Sequence, residues 1–412
     1  MNKSVGSSTV SAGFRPHASH QIGTRQFPER VVLQALRTHG SMPKTELVRI
    51  TTLGIQAVAL IIKRLIDEGL IIKLETLRGK IGEPSVSFAL NPEGALSIGI
   101  KVGRRSMDIL LLDFLGQVRE RFTLCYSFPD PEELFAEIDL QLKKMRKSPG
   151  LKKARRLSGI GIAAPLTLSG WHKLLNVHPH QANQWLRINF ARQMQDITVL
   201  PVQFCKDTAA ACVAELVTGE GRNINSFLYI FVDTFIGGGV VIDGHLRGGL
   251  HGNAGALASI PVRLARPDDA ALPEQLLSEA SLITLERTFV AADLDPLALF
   301  DQRVLEEPWL THTRTCLDGA GCAIGLAIDS ATCLLDLDAV IIDGSCDRAL
   351  LEKLRTEIER AMNYYCWEGI ARPAIHAGTI GSNAHAIGAA LLPLYANFAP
   401  NHSLFIKENK RR

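Results

Sequence analysis

The sequence predicts an α/β protein in which a small N-terminal winged helix-turn-helix precedes a larger body of two lobes. Three observations carry this. From Glu29, apolar residues recur at helical spacing in three successive segments and then give way to a β-rich pattern. Beyond Gly94, strands alternate with helices, as in an α/β body. The chain has 412 residues, more than one ordinary core organises, so two to four domains are expected.

Composition narrows the class. A hydrophobic content of 46% with 21% charged residues is that of a folded soluble protein. The opening MNKSVGSSTVSAGFRPHASHQIGTR lacks the apolar stretch of an export signal. Apolar windows such as AVALIIKRLI are broken by charge well short of the roughly 18 residues a membrane span needs, so no membrane association is expected. The eight cysteines (125, 205, 212, 316, 322, 333, 346, 366) show neither CxxC nor metal-ligand spacing and read as reduced, buried thiols of a cytoplasmic protein. The net charge of +3 conceals an asymmetry: residues 1–80 hold 12 Lys/Arg against 5 Asp/Glu, the remainder 33 against 37. A basic head on a mildly acidic body points to a polyanionic partner, with a solvated charged surface as the alternative.

Taken in order, residues 1–25, rich in Ser, Gly and His, are expected to form a disordered basic arm, and 26–92 the head. Val31, Val32, Ala35 and Leu36 mark a first helix ending at His39-Gly40. Ser41-Met42-Pro43 starts a second, with Ser41 as N-cap and Pro43 in the first turn, and Leu47, Val48 and Ile50 facing inward. After Thr51-Thr52-Leu53-Gly54 comes a third, with Val58, Ile61, Ile62 and Leu65 as its core stripe and Gly69 as its stop. Leu70–Leu74 and Ser85–Leu90 then form a hairpin around a basic tip. Three helices, a tight turn before the third and a hairpin make a winged helix-turn-helix. Its third helix, laid in a major groove, presents Gln56, Ala57, Ala59 and Lys63. Glutamine pairs bidentately with adenine, and an alanine methyl touches thymine. Lys44, Arg49, Lys63, Arg64, Arg78 and Lys80 are candidate phosphate contacts, which set affinity but not sequence preference. A three-helix protein-interaction module is the competing reading.

In the body, ALSIGIKVGRRSMDILLLDFLGQVRERF reads as two or three adjacent strands with turns at Gly103-Arg104-Arg105 and Phe114–Gln117. A helix over Pro131–Lys147, the strand LSGIGIAAP, a short strand Val199–Gln203 and a helix Thr208–Thr218 follow. Strands Phe227–Val232 and Val240–Ile242 flank Gly237-Gly238-Gly239, which reads as a loop of the kind that lets backbone amides approach a phosphate. Asp233, however, leads into it. Residues 339–345 form a buried strand and 381–395 a closing helix.

The order and spacing of DEGLI, of Pro165 closing IGIAAP, of CKDTAAACVAE, of IGGG through DGHLRGG to GNAGALA, of VIIDGS and of GSNAHAIGAALL resemble the ROK family of repressors and sugar kinases, from about Glu29 to Tyr395. The resemblance implies a two-lobed, actin-like sugar-kinase body, with lobe 1 over 93–205 and 390–412 and lobe 2 over 206–389. It also exposes departures. The family's first phosphate loop, Asp-x-Gly-Gly-Thr, is here Lys101-Val102-Gly103-Arg104-Arg105, and Asp233 and Phe235 replace leading glycines of the second. An aspartate facing phosphates costs Coulomb energy, and phosphoryl transfer needs those oxygens stabilised, so phosphorylation is not expected. The family's Asn-Asp pair is Lys206-Asp207, keeping the carboxylate. Its Ala-Gly-Glu-x-Gly-His becomes Ala254–Ser259, losing the glutamate and the histidine, and its Cys-x-Cys-x4-Cys zinc cluster has no cysteine counterpart. No metal and no cofactor is expected. Glu274 falls at the family's next sugar-binding glutamate and Ser278 at its serine, with Glu279 competing. Lys206, Asp207, Asn253 and Glu274 are thus the expected effector-facing residues. Bland readings stand beside them: Asp207 as a helix N-cap, Glu274 as a solvated helix residue, His245 and His251 as turn residues, and the three glycines as a turn without a ligand. At the wing tip, Gly82-Glu83-Pro84 stands where the family has Gly-Arg-Pro, leaving Arg78 and Lys80 to the wing's DNA contact.

The resulting expectation is a cytoplasmic transcriptional regulator, a repressor of a carbohydrate uptake or catabolism operon. It would bind double-stranded operator DNA as a homodimer or dimer of dimers, and its non-catalytic body would answer to a sugar, a sugar phosphate or nothing. The alternative is a sugar kinase with an accessory N-terminal domain.

Overall fold

Helix α1 (Phe27–His39) buries Val31, Val32, Leu33, Ala35 and Leu36 along one face and stops at Gly40, whose φ of +79° suits glycine. This is the first element of a computed structural model that describes residues 27–74, 86–147, 157–165, 178–185, 188–264 and 272–400. The expected arm 1–25 and the wing tip, with Arg78, Lys80 and Gly82–Pro84, lie outside the described residues. Met42 and Pro43 do not begin a helix as expected. They form strand β1 (Met42–Pro43), and α2 (Lys44–Thr51) starts after Pro43, which caps it without a side-chain bond. Pairing decides this: Met42 and Pro43 lie opposite Phe88 and Ser87, and the Met42 side chain is drawn into the core. After α3 (Ile55–Asp67), strands β2 (Ile71–Lys73) and β3 (Ser87–Leu90) pair antiparallel, completing a three-stranded sheet of order β1-β3-β2.

The described residues fall into two compact units, one within 19–218 and 383–412 and the other spanning Gly219–Ser382. The first contains the head and a five-stranded sheet: β4 (Leu96–Val102), β5 (Ser106–Leu112), β6 (Val118–Cys125), β7 (Leu157–Ala164) and β8 (Val202–Lys206), in the order β6-β5-β4-β7-β8. β8 begins three residues later than the sequence suggested, because its parallel register with β7 pairs Val202 with Ile160 and Lys206 with Ala164. Helices α4 (Pro131–Lys147), α5 (Pro179–Gln184) and α6 (Phe190–Ile197) accompany this sheet, and α4 and α6 contribute to its apolar core, where Trp185 stacks on Phe190 at 5.5 Å. Helices α7 (Asp207–Thr218) and α12 (Ala384–Phe398) pack together, and α12 reaches the sheet backbone itself. A Cβ at Gly161 would stand 1.8 Å from the Ala389 carbonyl oxygen, and one at Gly99 2.4 Å from that of Ala386. The head is fastened to this body: Arg37 of α1 donates to the Phe114 carbonyl at 2.9 Å and lies over the Phe114 ring, which meets Phe398 edge-on at 4.8 Å.

The second unit repeats the plan. Its strands β9 (Phe227–Val232), β10 (Gly237–Ile242), β11 (His245–Arg247), β12 (Ala339–Gly344) and β13 (Ala374–Ala377) are ordered β11-β10-β9-β12-β13. In both sheets the first three strands form an antiparallel meander and the last two add parallel to the first. Around the second lie α8 (Leu276–Ala280), α9 (Leu282–Ala291), α10 (Trp309–Leu335) and α11 (Arg348–Ala361). Among the described residues α10 is long and apolar enough to cross a membrane, which the sequence reading overlooked. Half of its most apolar stretch is buried, and Ile324, Ala327 and Ile328 belong to the core of this unit. The thiols also differ from expectation: all eight are free, but Cys125, Cys322, Cys333 and Cys366 are exposed.

Candidate functional site

In the head, α2 and α3 meet at 116° across Thr52-Leu53-Gly54, the bend and three-residue turn of a helix-turn-helix. Thr52 adopts the left-handed conformation (φ 55°), and the Thr51 hydroxyl donates to the Leu47 carbonyl at 2.6 Å, pinning the turn. Leu47, Val58, Ile62 and Leu65 are buried between the helices, so the opposite face of α3 is presented outward. Gln56, Ala57 and Lys63 are exposed there, whereas Ala59 is half-buried toward one flank. Lys44 is exposed at the start of α2, where α-helical amides also attract anions. Arg49 is bonded within its own helix to Glu46, at 2.6 and 3.0 Å, and this hydrogen bond holds the Glu46 carboxyl below its ordinary range. Exposed pairs of this kind contribute only about 0–1 kcal/mol, so a phosphate can compete for the guanidinium. Arg64 is also engaged, paired at 2.5 Å with the buried carboxylate of Glu29, which ties α3 to α1. Two residues escaped the sequence reading: Ile55 and Leu60 are large aliphatics left 63% and 71% exposed on α3. The helical spacing of Leu60 from Gln56, off the core stripe, is the signal that could have found it.

The run at the place of the family's first phosphate loop is held by its own side chains. Lys101 donates to the Ser106 hydroxyl at 2.9 Å and pairs with Asp108 at 3.3 Å, and Arg121 and Thr123 also bond that carboxylate, at 3.0 and 2.7 Å. Burial opposes ionisation of Asp108, but the Lys101 charge and these hydrogen bonds outweigh it and hold the carboxyl below its ordinary value. The Tyr126 hydroxyl caps the Gly103 carbonyl at 2.8 Å.

At the second loop the structure corrects the sequence reading. Gly237, Gly238 and Gly239 are not a loop but the start of β10, paired with Phe231, Ile230 and Tyr229. They are small because other backbone lies against them: a Cβ at Gly238 would fall 2.3 Å from the Tyr229 carbonyl, and one at Gly255 2.7 Å from the Gly239 Cα. The turn proper is Asp233–Ile236, and protein groups occupy it. Asp233 accepts from the Ser345 hydroxyl at 2.6 Å and from the Thr234 amide at 2.7 Å, the Ile236 amide donates to Ser281 at 3.0 Å, and Phe235 is buried. Nearby, the wholly buried Asp343 takes hydrogen bonds from Arg348 at 2.8 Å and from the amides of Gly344 and Gly381 at 2.9 and 2.8 Å. A depression of about 390 Å³ lies beside it, lined by Arg348, Leu351, Glu352, Arg355 and Gly378 among others, but both arginines are already engaged by carboxylates.

Of the expected effector-facing residues, Lys206 ends β8 and Asp207 opens α7, both half-buried in the first unit. One Asp207 oxygen accepts from the amide of the next residue, Thr208, at 2.7 Å. The Thr208 hydroxyl beside it is buried without a hydrogen-bond partner among the described residues, a feature nothing in the sequence announces. Asn253 is exposed in the second unit, its carbonyl accepting from the Ala256 amide at 3.0 Å. Glu274 is exposed and paired with Arg263 at 2.7 Å, and the Ser278 hydroxyl is spent on the Gln275 carbonyl. Both observations favour the solvated reading of this segment. His245 bonds the Asp243 carbonyl through Nδ1 at 2.8 Å, as a turn residue would. Structural zinc does not fit here: residues 263–282 offer carboxylates but neither cysteine nor histidine, and zinc needs three or four such ligands.

Comparison with known proteins adds to this geometry. The ROK family pattern matches residues 97–395. The chain is 23% identical over 383 residues to the xylose repressor of Bacillus spizizenii, covering 89% of this chain and 95% of that one. Its fold resembles the crystal structure of a ROK family transcriptional regulator homologous to the Mlc protein of Escherichia coli, with a TM-score of 0.64 and 20% identity, over 90% of this chain and 97% of that one. The ROK hexokinase of Thermus thermophilus superposes with a TM-score of 0.54 and 22% identity, over 97% of its own length but 72% of this chain.

Proposed function

The chain belongs to the ROK family, and from that premise we propose that it is a sugar-responsive, DNA-binding transcriptional repressor whose body has lost phosphotransfer. The observation that carries this is the pairing of an outward-facing recognition helix with two phosphate loops closed by internal bonds, Lys101 to Asp108 and Asp233 to Ser345. In this reading 26–92 is the reading head, and the lobes follow the two compact units rather than the expected boundaries at 205/206 and 389/390, so that α7 and the whole of α12 belong to lobe 1. Gln56, Ala57 and Ala59 face bases, while Lys44, Arg49, Lys63, Arg78 and Lys80 face phosphates. Lys206, Asp207, Asn253 and Glu274 are the effector-side candidates, with Asp207 and its neighbour Thr208 favoured over Glu274, which Arg263 already engages. The protein works in the cytoplasm as a homodimer or a dimer of dimers, and sugar binding shifts the spacing of its heads and so the affinity for operator half-sites.

The retained carboxylate of Asp207 is what favours the second reading, a sugar kinase with an accessory head. Both readings are tested together. Full-length protein is assayed for ADP release over a panel of pentoses and hexoses, and for binding to fragments of bacterial promoter DNA at two salt concentrations. Salt-dependent DNA binding, weakened by one of the sugars and without ADP release, is expected. Sugar-dependent ADP release abolished by Asp207→Ala would sink the repressor reading.

A further inference from the structure

We infer that the outward ridge of α3 reads thymine methyl groups in the major groove, with Leu60 as the principal reader, so that the preferred half-sites are built around A·T pairs. The inference rests on the DNA-binding reading above and specifies what that helix recognises. Val58, Ile62 and Leu65 fix the rotation of α3 about its axis, since all three are buried. At 100° per residue, Gln56, Leu60 and Lys63 then share the opposite side, with Ala57 at its N-terminal flank. A leucine left 71% exposed at the middle of that ridge is matched to something apolar, and its surroundings say what. Along the ridge Ile55–Ile66 contains no acidic residue, Asp67 and Glu68 standing only at the C-terminal end of α3, while Lys63 follows Leu60 by three positions and Lys44 is exposed on the preceding helix. An apolar spot inside a cationic frame suits a polyanion that carries apolar groups. In the duplex major groove, that group is the thymine C5-methyl. Gln56, one turn before Leu60, supplies the matching bidentate contact to adenine. Ala59 was expected to offer such a methyl contact, but it is half-buried and shorter.

The test uses the full chain. Duplexes are selected from a random-sequence pool, and each thymine of the selected sites is then replaced in turn by deoxyuridine, which removes the methyl and keeps the base pair. At one or two positions per half-site, affinity is expected to fall by about fourfold per methyl. Leu60→Ala, which removes no buried side chain, is expected to erase that penalty, whereas Lys63→Ala weakens thymine and deoxyuridine duplexes alike. Tight selection with no deoxyuridine penalty anywhere would overturn the inference alone, as would a penalty that survives in Leu60→Ala. So would a Leu60→Ala variant that changes only self-association or capture of a protein partner. Failure to select any duplex would overturn the repressor reading as well.

Discussion

Replacing Gly388 by alanine is expected to destabilise the first unit by about 2–4 kcal/mol. A Cβ at this position would stand 1.7 Å from the Ala210 carbonyl oxygen and 2.3 Å from its carbon, where ordinary contact begins at 3.4 Å. The neighbour is helix backbone, which cannot rotate away, so α7 and α12 must part by roughly the missing distance. Nor can α12 retreat. On its other side its carbonyls already approach the sheet backbone at Gly99 and Gly161 within 2.4 and 1.8 Å of where a Cβ would be. Ordinary overpacking costs about 1–3 kcal/mol, and a clamped backbone contact belongs at or above the top of that range. For a unit of roughly this size, each kcal/mol lowers the melting temperature by about 2–4 °C, so a fall of about 4–16 °C is expected. Thermal and urea unfolding followed by circular dichroism would measure it, the shift appearing in the urea midpoint with the slope unchanged. Gly248→Ala, where an added Cβ meets nothing within 4 Å, is the control and is expected to melt with the parent. A Gly388→Ala protein that also melts within about 2 °C of the parent would refute the backbone-to-backbone seam. Because α7 opens with Asp207, the same variant is expected to weaken effector binding without touching a polar contact.

Lys63→Ala is expected to lower the slope of log affinity against log salt by about 0.9 while leaving sequence preference intact, measured by anisotropy titration. Asp108 has a depressed folded-state value, so its stabilisation is complete above the ordinary carboxylate range and is lost as pH falls through the folded value. Asp108→Asn should therefore flatten the acid limb of the stability profile below about pH 4, which urea midpoints at several pH values would register. Arg37→Ala removes the bond to the Phe114 carbonyl and the cation–π contact, together worth about 2 kcal/mol. The head should loosen from the body and be released faster by limited proteolysis near Asn91. Burial pushes the Cys205 and Cys346 thiols up to about 12, so in the native state iodoacetamide should label exposed Cys125, Cys322, Cys333 and Cys366 first, as peptide mass spectrometry would show.

Much of the head was legible in one dimension because its signals are local. The stripe Val58, Ile62 and Leu65, the stop at Gly69 and the turn at Thr52-Leu53-Gly54 depend only on spacing and on φ preferences of neighbouring residues. Helix α4 was bounded correctly at Pro131–Lys147 for the same reason. The failures came where a distant strand or helix intervened. Ser41-Met42-Pro43 carries N-cap chemistry, yet β3, more than forty residues on, recruits it into a sheet. Gly237–Gly239 has the composition of a phosphate loop, yet β9 and the backbone of Gly255 claim it as strand. Arg64 looked free until Glu29 was found buried beneath it, and Glu274 looked aimed at a ligand until Arg263 was found on it.

By itself the sequence determined the class of the protein and the order of its parts: a basic helix-turn-helix, then strands and helices in the succession of the ROK family. Hydrophobic periodicity and turn residues act over a few positions and survive in any single chain. Only the tertiary structure decided which polar groups are spent. Whether Lys101, Asp233 or Arg64 can meet a ligand depends on Asp108, Ser345 and Glu29, each brought up from elsewhere in the chain. A side chain's hydrogen-bonding capacity is small and is used once, so its availability is a property of the folded surroundings rather than of the residue.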